Sequence, residues 1–211
     1  MLNLKLVLAA LVGILPFNVL RVFGYRLIGY KIRSTRIGFG TIIAVAEASF
    51  DSCRIGPFNL FVGPMKLVVC EGATIGGRNE FSCGRWILRE EYKNSNYTRT
   101  LEVGRGALIT SRHFFDVAGT FVLGDRSWVA GVDSQFWTHG AGVVERDIRI
   151  GTDCYLGSAV RFAPGSSIGD HVIVAMGSVV ADRLDVDNAL VGGVPARVLK
   201  TNHDWKNEDA R

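Results

Sequence analysis

From Ile150 onward, apolar side chains recur at every sixth residue: Ile150, Leu156, Phe162, Ile168, Val174, Val180 and Val186, then Gly192 and Val198. A helix repeats its buried face about every 3.6 residues and a half-buried strand about every second one, so neither alone explains a period of six. The period recurs upstream through Ile37, Ile43, Ile55, Phe61 and Leu67, with a gap at Ser49. It continues through Ile75, Phe81 and Ile87, then Val103, Ile109, Phe115 and Phe121, then Leu123 and Val129. A glycine often follows the apolar residue, as in Ile37-Gly38, Ile55-Gly56, Ile75-Gly76, Leu123-Gly124 and Ile150-Gly151. Glycine tolerates positive φ and tight bends without a Cβ penalty. Each hexad therefore reads as a short strand plus a corner, and three hexads make one triangular coil, as from Ile37 to Ile55 and from Ile150 to Ile168. The expected fold is an all-β solenoid whose apolar positions stack about 4.8 Å apart inside a prism.

The period divides the chain into a basic apolar segment (1–36), a solenoid (37–198) and a tail (199–211). It breaks near 88–102 and near 136–149. Loops that leave a rigid coil commonly carry binding and catalysis; the first, being polar, also reads as a solvated excursion or a subunit contact. Segment 1–36 contains the apolar run Leu6–Leu15, closed by Pro16, which is too short for the roughly 20 residues of a membrane span. The segment reads as helical and hydrophobic. It suits either a membrane surface, with its cations facing anionic lipid, or packing on the domain or a neighbouring subunit. Segments 1–36 and 199–211 are also candidate caps for the open end coils.

Composition sharpens this picture. The 25 glycines and 48% hydrophobic residues suit a corner-rich β fold and argue against a bundle or a disordered chain. The net charge of +4 is unevenly placed. Residues 1–36 hold Lys5, Arg21, Arg26, Lys31, Arg33 and Arg36 with no acidic residue, so the remaining body is slightly acidic. A nucleic-acid partner is therefore not expected. Cys53, Cys70, Cys83 and Cys154 form no Cys-x-x-Cys pair and read as reduced thiols of a cytoplasmic protein.

The hexads of 150–180 and the Gly-Gly-Val-Pro-Ala-Arg-Val-Leu-Lys run at 192–200 resemble the hexapeptide-repeat acyltransferases, especially the sugar and xenobiotic O-acetyltransferases. The resemblance implies a left-handed parallel β-helix, acetyl-CoA as co-substrate, no metal, and a homotrimer with active sites between neighbouring prisms. It also implies transfer of an acetyl group to a sugar hydroxyl. With an interfacial N-terminus, that suggests polysaccharide biosynthesis at the inner face of a membrane. Xenobiotic acetylation, N-acetylation of an amino sugar and a non-catalytic scaffold are the alternatives.

His139, in Trp137-Thr138-His139-Gly140, matches the family's catalytic histidine by position. A neutral imidazole, with an ordinary pKa of about 6.5, can take the proton of an acceptor hydroxyl. Arg112, His113, Asp116 and Trp137 are the candidate acceptor contacts, and His113 could share the catalytic role. Asp133, Glu145 and Asp147 are candidates to orient the imidazole. On the donor side the resemblance implies Tyr155, Gly157, Ser158, Ala175, Met176 and Gly177 along the pantetheine arm, with the Ser158 N–H able to meet an oxyanion. Arg197 and Lys200 are the candidate phosphate contacts. Where relatives commonly have Thr-Lys, this chain has Ala181-Asp182, which removes a cation near the nucleotide end.

Overall fold

The computed structural model describes residues 2–206. Parallel strands wind into a prism with three faces. The inward column of the first face is Ile37, Ile55, Ile75, Ile109, Val129, Leu156, Val174 and Val191, each in register with the next. The second face carries Ile43, Phe61, Phe81, Phe115, Phe136, Phe162 and Val180. The third carries two inward columns, one of Leu67, Leu101, Phe121 and Ile148, and beside it one of Val69, Val103, Leu123, Ile150, Ile168 and Leu184. Two ten-residue strands, Ile42–Asp51 and Leu60–Val69, run across the corner from the second face to the third and join both into one sheet.

Five phenylalanines of the second face stack ring on ring, with centroids 4.4, 4.5, 4.6 and 5.3 Å apart from Phe61 to Phe162. All five are fully buried. Equivalent positions of successive coils thus solve the packing problem with one residue type, each ring lying on the ring before it.

The hexad reading needs correction at several points. The register slips between Val45 and Glu47, so Ala48 rather than Ser49 lies opposite Leu67. Ile87 belongs to a 3-10 turn, Arg85–Leu88, outside the coil. The period ends at Val180: Leu184, not Val186, pairs with Ile168, and Gly192 and Val198 belong to an antiparallel hairpin that closes the prism. The solenoid also begins earlier than Ile37, since Lys31–Arg33 already pairs with 49–51.

The glycines after the apolar positions serve a different purpose from the one expected. A Cβ on Gly38 would lie 2.3 Å from the Gly56 carbonyl carbon, and one on Gly124 2.3 Å from the Gly151 oxygen. The coils approach too closely there for any side chain. The positive-φ corners are occupied by other glycines, such as Gly72, Gly106 and Gly177, and by Ser34, Ser52, Arg78, Arg112, Arg126, Asp153 and His171.

At the N-terminal end, the strands of the first coil have no preceding coil to meet their backbone groups. Helices α1 (Leu2–Gly13) and α2 (Asn18–Leu27) supply the partners. Asn18 accepts from the Ile37 N–H and donates to the Thr35 carbonyl, and Arg21 donates to the Ile37 carbonyl. Arg26 donates to the Ile32 carbonyl. The Tyr25 hydroxyl donates to the Thr41 carbonyl at 2.7 Å and accepts from the Ile43 N–H. Tyr30 does the same for Ile43 and Val45, and Lys5 donates to the Val45 carbonyl at 2.5 Å. Segment 1–36 is therefore a cap, as one of its readings held, and Lys5, Arg21 and Arg26 use their donors on coil carbonyls.

Tyr25→Phe removes a buried hydroxyl and strands the Thr41 carbonyl and Ile43 N–H. The expected cost is about 1–3 kcal/mol, read as a lower urea midpoint, with coil content by circular dichroism unchanged.

Candidate active site

Two excursions interrupt the prism, and both leave at the corner between the second and third faces. The first spans 83–99, between the strands Glu80–Ser82 and Thr100–Val103. The second spans 137–147, between Gln135–Phe136 and Ile148–Ile150. The coil between them turns the same corner tightly through Val117, Ala118 and Gly119.

Asp116 ends its strand at this corner and is buried. Its Oδ2 accepts from the Thr138 N–H at 3.0 Å and sits 2.8 Å from His139 Nδ1. The Thr138 hydroxyl donates to the Asp116 carbonyl and accepts from the Gly119 N–H. These bonds fix the carboxylate before it meets the imidazole. With Nδ1–H directed at Asp116, Nε2 is left with its lone pair, and the His139 side chain is 37% exposed. Asp116 therefore orients the imidazole instead of contacting an acceptor. The three candidates for that task are engaged elsewhere: Asp133 with Arg112, Glu145 with Arg183, and Asp147 with the Thr120 N–H and Arg149.

The first excursion is not a detached polar loop. Trp86 lies with its ring centroid 5.4 Å from that of His139 and also packs on Tyr92 and Tyr97. Arg146, from the second excursion, covers the Tyr97 ring at 4.0 Å and donates to the Ser95 carbonyl. Glycines permit both approaches: a Cβ on Gly84 would meet the Trp86 indole at 2.1 Å, and one on Gly119 would meet Arg146 at 2.9 Å. Trp86, Tyr92, Tyr97 and Arg146 escaped the sequence reading. The signal was three aromatic residues within one otherwise polar stretch. Trp137 packs on Phe114 at 4.8 Å, so an aromatic residue from the second face also borders the corner.

His113 does not belong to this site. It is 2% exposed and lies at the corner between the first and second faces, within a ladder of polar side chains that face the interior. Asn59 Oδ1 accepts from the Asn79 N–H, Asn79 Oδ1 from the His113 N–H, and His113 Nδ1 from the Ser134 N–H. Nε2–H is left to donate to Thr110 Oγ1 at 2.9 Å. Both ring nitrogens are used, which removes His113 as an acceptor contact and as a second base. Burial pulls its pKa down to about 4. Arg112, beside it, turns outward at φ 62° and pairs with Asp133 at 3.7 Å.

The expected donor-side residues lie mainly on that other corner. Ser158 and Gly177 occupy successive coils there, linked by the Gly177 N–H to the Ser158 carbonyl. Ala175 begins the later of these turns, and Met176 is 75% exposed. Gly157 is required sterically, since a Cβ would lie 2.8 Å from the Met176 nitrogen. Tyr155 projects from the first face, and its ring is packed between Trp128 and Trp205 of the tail. The tail is anchored by Trp205 Nε1 donating to the Asp153 carbonyl and by His171 beside Asp204. Beyond Lys200, the described part of the tail therefore runs along the prism side, while 199 and 200 belong to the closing hairpin. Lys200 is exposed, while Arg197 lies 3.8 Å from Asp182, the residue that replaces the expected lysine. Within one chain, Tyr155, Gly157, Ser158, Ala175, Met176 and Gly177 lie away from the corner of His139, whereas Arg197 meets Asp182 on a later coil of that corner.

No family model matches the chain. Over 119 residues, 55% of the chain, the sequence is 29% identical to WbbJ of Escherichia coli K12, named for O-acetyl transfer in lipopolysaccharide biosynthesis. The match spans 58% of that relative, little more than half its length. Among solved structures, the polysialic-acid-specific acetyltransferase NeuO aligns with a TM-score of 0.60 at 14% identity, over 85% of each chain. The hexapeptide-repeat acetyltransferase VCA0836 of Vibrio cholerae, solved with acetyl coenzyme A, aligns with a TM-score of 0.51 at 18% identity, over 94% of this chain and 87% of that one. At these identities the structural likeness establishes the fold. The expected left-handed parallel β-helix is borne out, and the resemblance to hexapeptide-repeat acetyltransferases holds in both sequence and fold.

A pH titration tests the placement of His113. Its folded pKa, about 4, lies below the unfolded value of about 6.5, so between these values the unfolded chain binds more protons. Stability should be fully present above pH 6.5 and fall as pH drops toward 4, by roughly 3 kcal/mol in all from this group. Nitrogen-15 NMR should find a neutral, Nε2-protonated ring throughout pH 5–8.

Proposed function

We propose that this left-handed β-helix is an acetyl-CoA-dependent O-acetyltransferase acting on a sugar hydroxyl, with His139 as general base. The observation that carries the reading is the His139–Asp116 pair: a buried carboxylate, whose Oδ2 is also held by Thr138, meets Nδ1 at 2.8 Å and leaves Nε2 free at a partly exposed corner.

The chemistry follows from that tautomer. The acceptor oxygen attacks the thioester carbonyl carbon while its proton passes to His139 Nε2. The imidazolium so formed is stabilised by Asp116. The tetrahedral oxyanion requires an N–H donor, the role that the resemblance gives to Ser158. Collapse expels the coenzyme A thiolate, which takes the proton back from Nε2. No covalent enzyme intermediate is needed, and the cysteines are unsuited to one: burial pushes Cys53 and Cys154 up to about 11 and Cys83 up to about 12.

A sugar acceptor is supported by the aromatic surroundings of His139. Trp86 and Trp137 flank the corner and can meet the apolar face of a pyranose ring. The names of WbbJ and NeuO point to glycan acceptors in those proteins, and a cell-surface polysaccharide precursor is the acceptor class proposed here. Because Ser158 and Gly177 lie on a different corner from His139, the complete site is proposed to form between two prisms of a homotrimer. Lys200 is then open to substrate as part of the neighbouring wall, while Arg112 must first leave Asp133 and Arg197 must leave Asp182.

His139→Ala should lower acetyl transfer to glycan acceptors by about 100- to 10,000-fold while acetyl-CoA still raises the melting temperature. Asp116→Asn should lower kcat and alter the pH-rate profile while the KM for acetyl-CoA is retained. Unchanged turnover in His139→Ala overturns the assigned base.

A further inference from the structure

Helix α2 has reversed amphipathicity, and α1 is predominantly apolar all round. Their polar and cationic side chains point at the prism, where Asn18, Arg21, Tyr25 and Lys5 bond to the first coil. Their large apolar side chains point out. Leu11, Ile14, Phe17, Leu20, Phe23 and Leu27 are exposed, with Phe17 at 66%, Phe23 at 60% and Leu27 at 73%. Scattered exposed apolar residues are ordinary, but a continuous apolar face on two adjacent helices marks a binding surface.

The cap hydrogen-bonds to the open strand edges of the first coil, so it sits on the end of the prism. Its outer face points along the prism axis, away from the sides along which prisms can pack. Among the described residues no helix is long and apolar enough to cross a membrane.

Charge selects the occupant. Segment 1–36 has no acidic residue. Lys31 and Arg36 are exposed on the first coil, against which the cap sits, and Arg36 lies next to the exposed Arg54 of the following coil. Two caps facing each other would oppose cation to cation. An anionic bilayer offers both a hydrocarbon layer for the phenylalanines and headgroups for the rim.

We propose that the α1–α2 cap docks this protein onto an anionic membrane surface, with Phe17, Phe23 and their apolar neighbours inserted at interfacial depth and Lys31 and Arg36 at the headgroups. This differs from the expectation for the segment in one respect. Arg21, Arg26 and Lys5 cannot serve as lipid contacts, because their donors are taken by coil carbonyls. The prism then stands on the membrane with its long axis away from the surface.

Co-sedimentation of the full chain with phosphatidylcholine vesicles, with and without phosphatidylglycerol, tests the docking without reference to activity. Binding to the phosphatidylglycerol vesicles is expected. The double variant Phe17→Glu/Phe23→Glu alters only exposed side chains and should keep its thermal melting profile while losing at least about tenfold in partitioning. Lys31→Ala and Arg36→Ala should each cost roughly fivefold at low salt. No binding to anionic vesicles overturns the proposal, as does binding that survives the double variant unchanged. Analytical ultracentrifugation that finds cap-to-cap pairs, split by the same variant, overturns it in favour of a second copy.

Discussion

Every coil of this protein depends on the next one for its backbone hydrogen bonds. A parallel β-helix has no hairpins in its body, so each strand edge is met only by the strand one coil away. That requirement sets the coil spacing, and the spacing in turn dictates composition. Gly38 and Gly124 are glycine because the next backbone is within van der Waals reach of a Cβ. The phenylalanine column stacks because its rings repeat at nearly the same spacing. Asn59, Asn79 and His113 line one corner because each can present an acceptor to the N–H one coil along. Where the series stops, at the first coil, tyrosine hydroxyls, an asparagine and two arginines must replace the missing strand.

The same requirement leaves few places for chemistry. A face strand cannot leave the coil without orphaning two neighbours, so only a corner can be extended. Both extensions leave at one corner and are separated by a single tight coil, which brings them within reach of each other. Trp86 can therefore touch His139 although 53 positions separate them in the chain, and Arg146 can bridge back to Ser95 across Gly119. Asp116 occupies the coil between the excursions and so lies directly beneath the histidine it orients.

The period of six revealed the fold, because inward positions repeat wherever the coil is regular. It faltered where the coil is not regular: at the slip after Val45, at Ile87 in its 3-10 turn, and beyond Val180 where the terminal hairpin replaces the coil. His139 was legible through its motif, but its partner was not. The carboxylate comes from the previous coil, 23 positions back, while acids such as Asp133 lie closer in sequence, so spacing did not select it. His113 and His139 look alike in sequence. Only the ladder separates them, since one ring has both nitrogens bonded in the interior and the other has one. Likewise the cations of the N-terminal segment all count as +1 in composition, whereas in the fold Arg21 is a capping donor and Arg36 a surface charge.

A prism is convex along its whole length, and substrates bind in concavities. This limits what one copy can do. His139 stands at the corner between the second and third faces, while Ser158, Ala175 and Gly177 stand at the corner between the first and second. No movement short of unwinding the coil can bring two corners of one prism together. For acetyl transfer as proposed, the base and the oxyanion donor must come within a few ångströms of one carbonyl carbon. Packing prisms side by side, so that one corner faces a different corner of the neighbour, creates the missing cleft without altering any coil. Such an interface is heterologous, and it closes into a ring when the rotation between copies allows. A cyclic trimer of parallel prisms also presents all three N-terminal caps in the same direction. The rigidity that keeps the catalytic groups apart within a chain would thus assemble them between chains and align three apolar caps on a common plane.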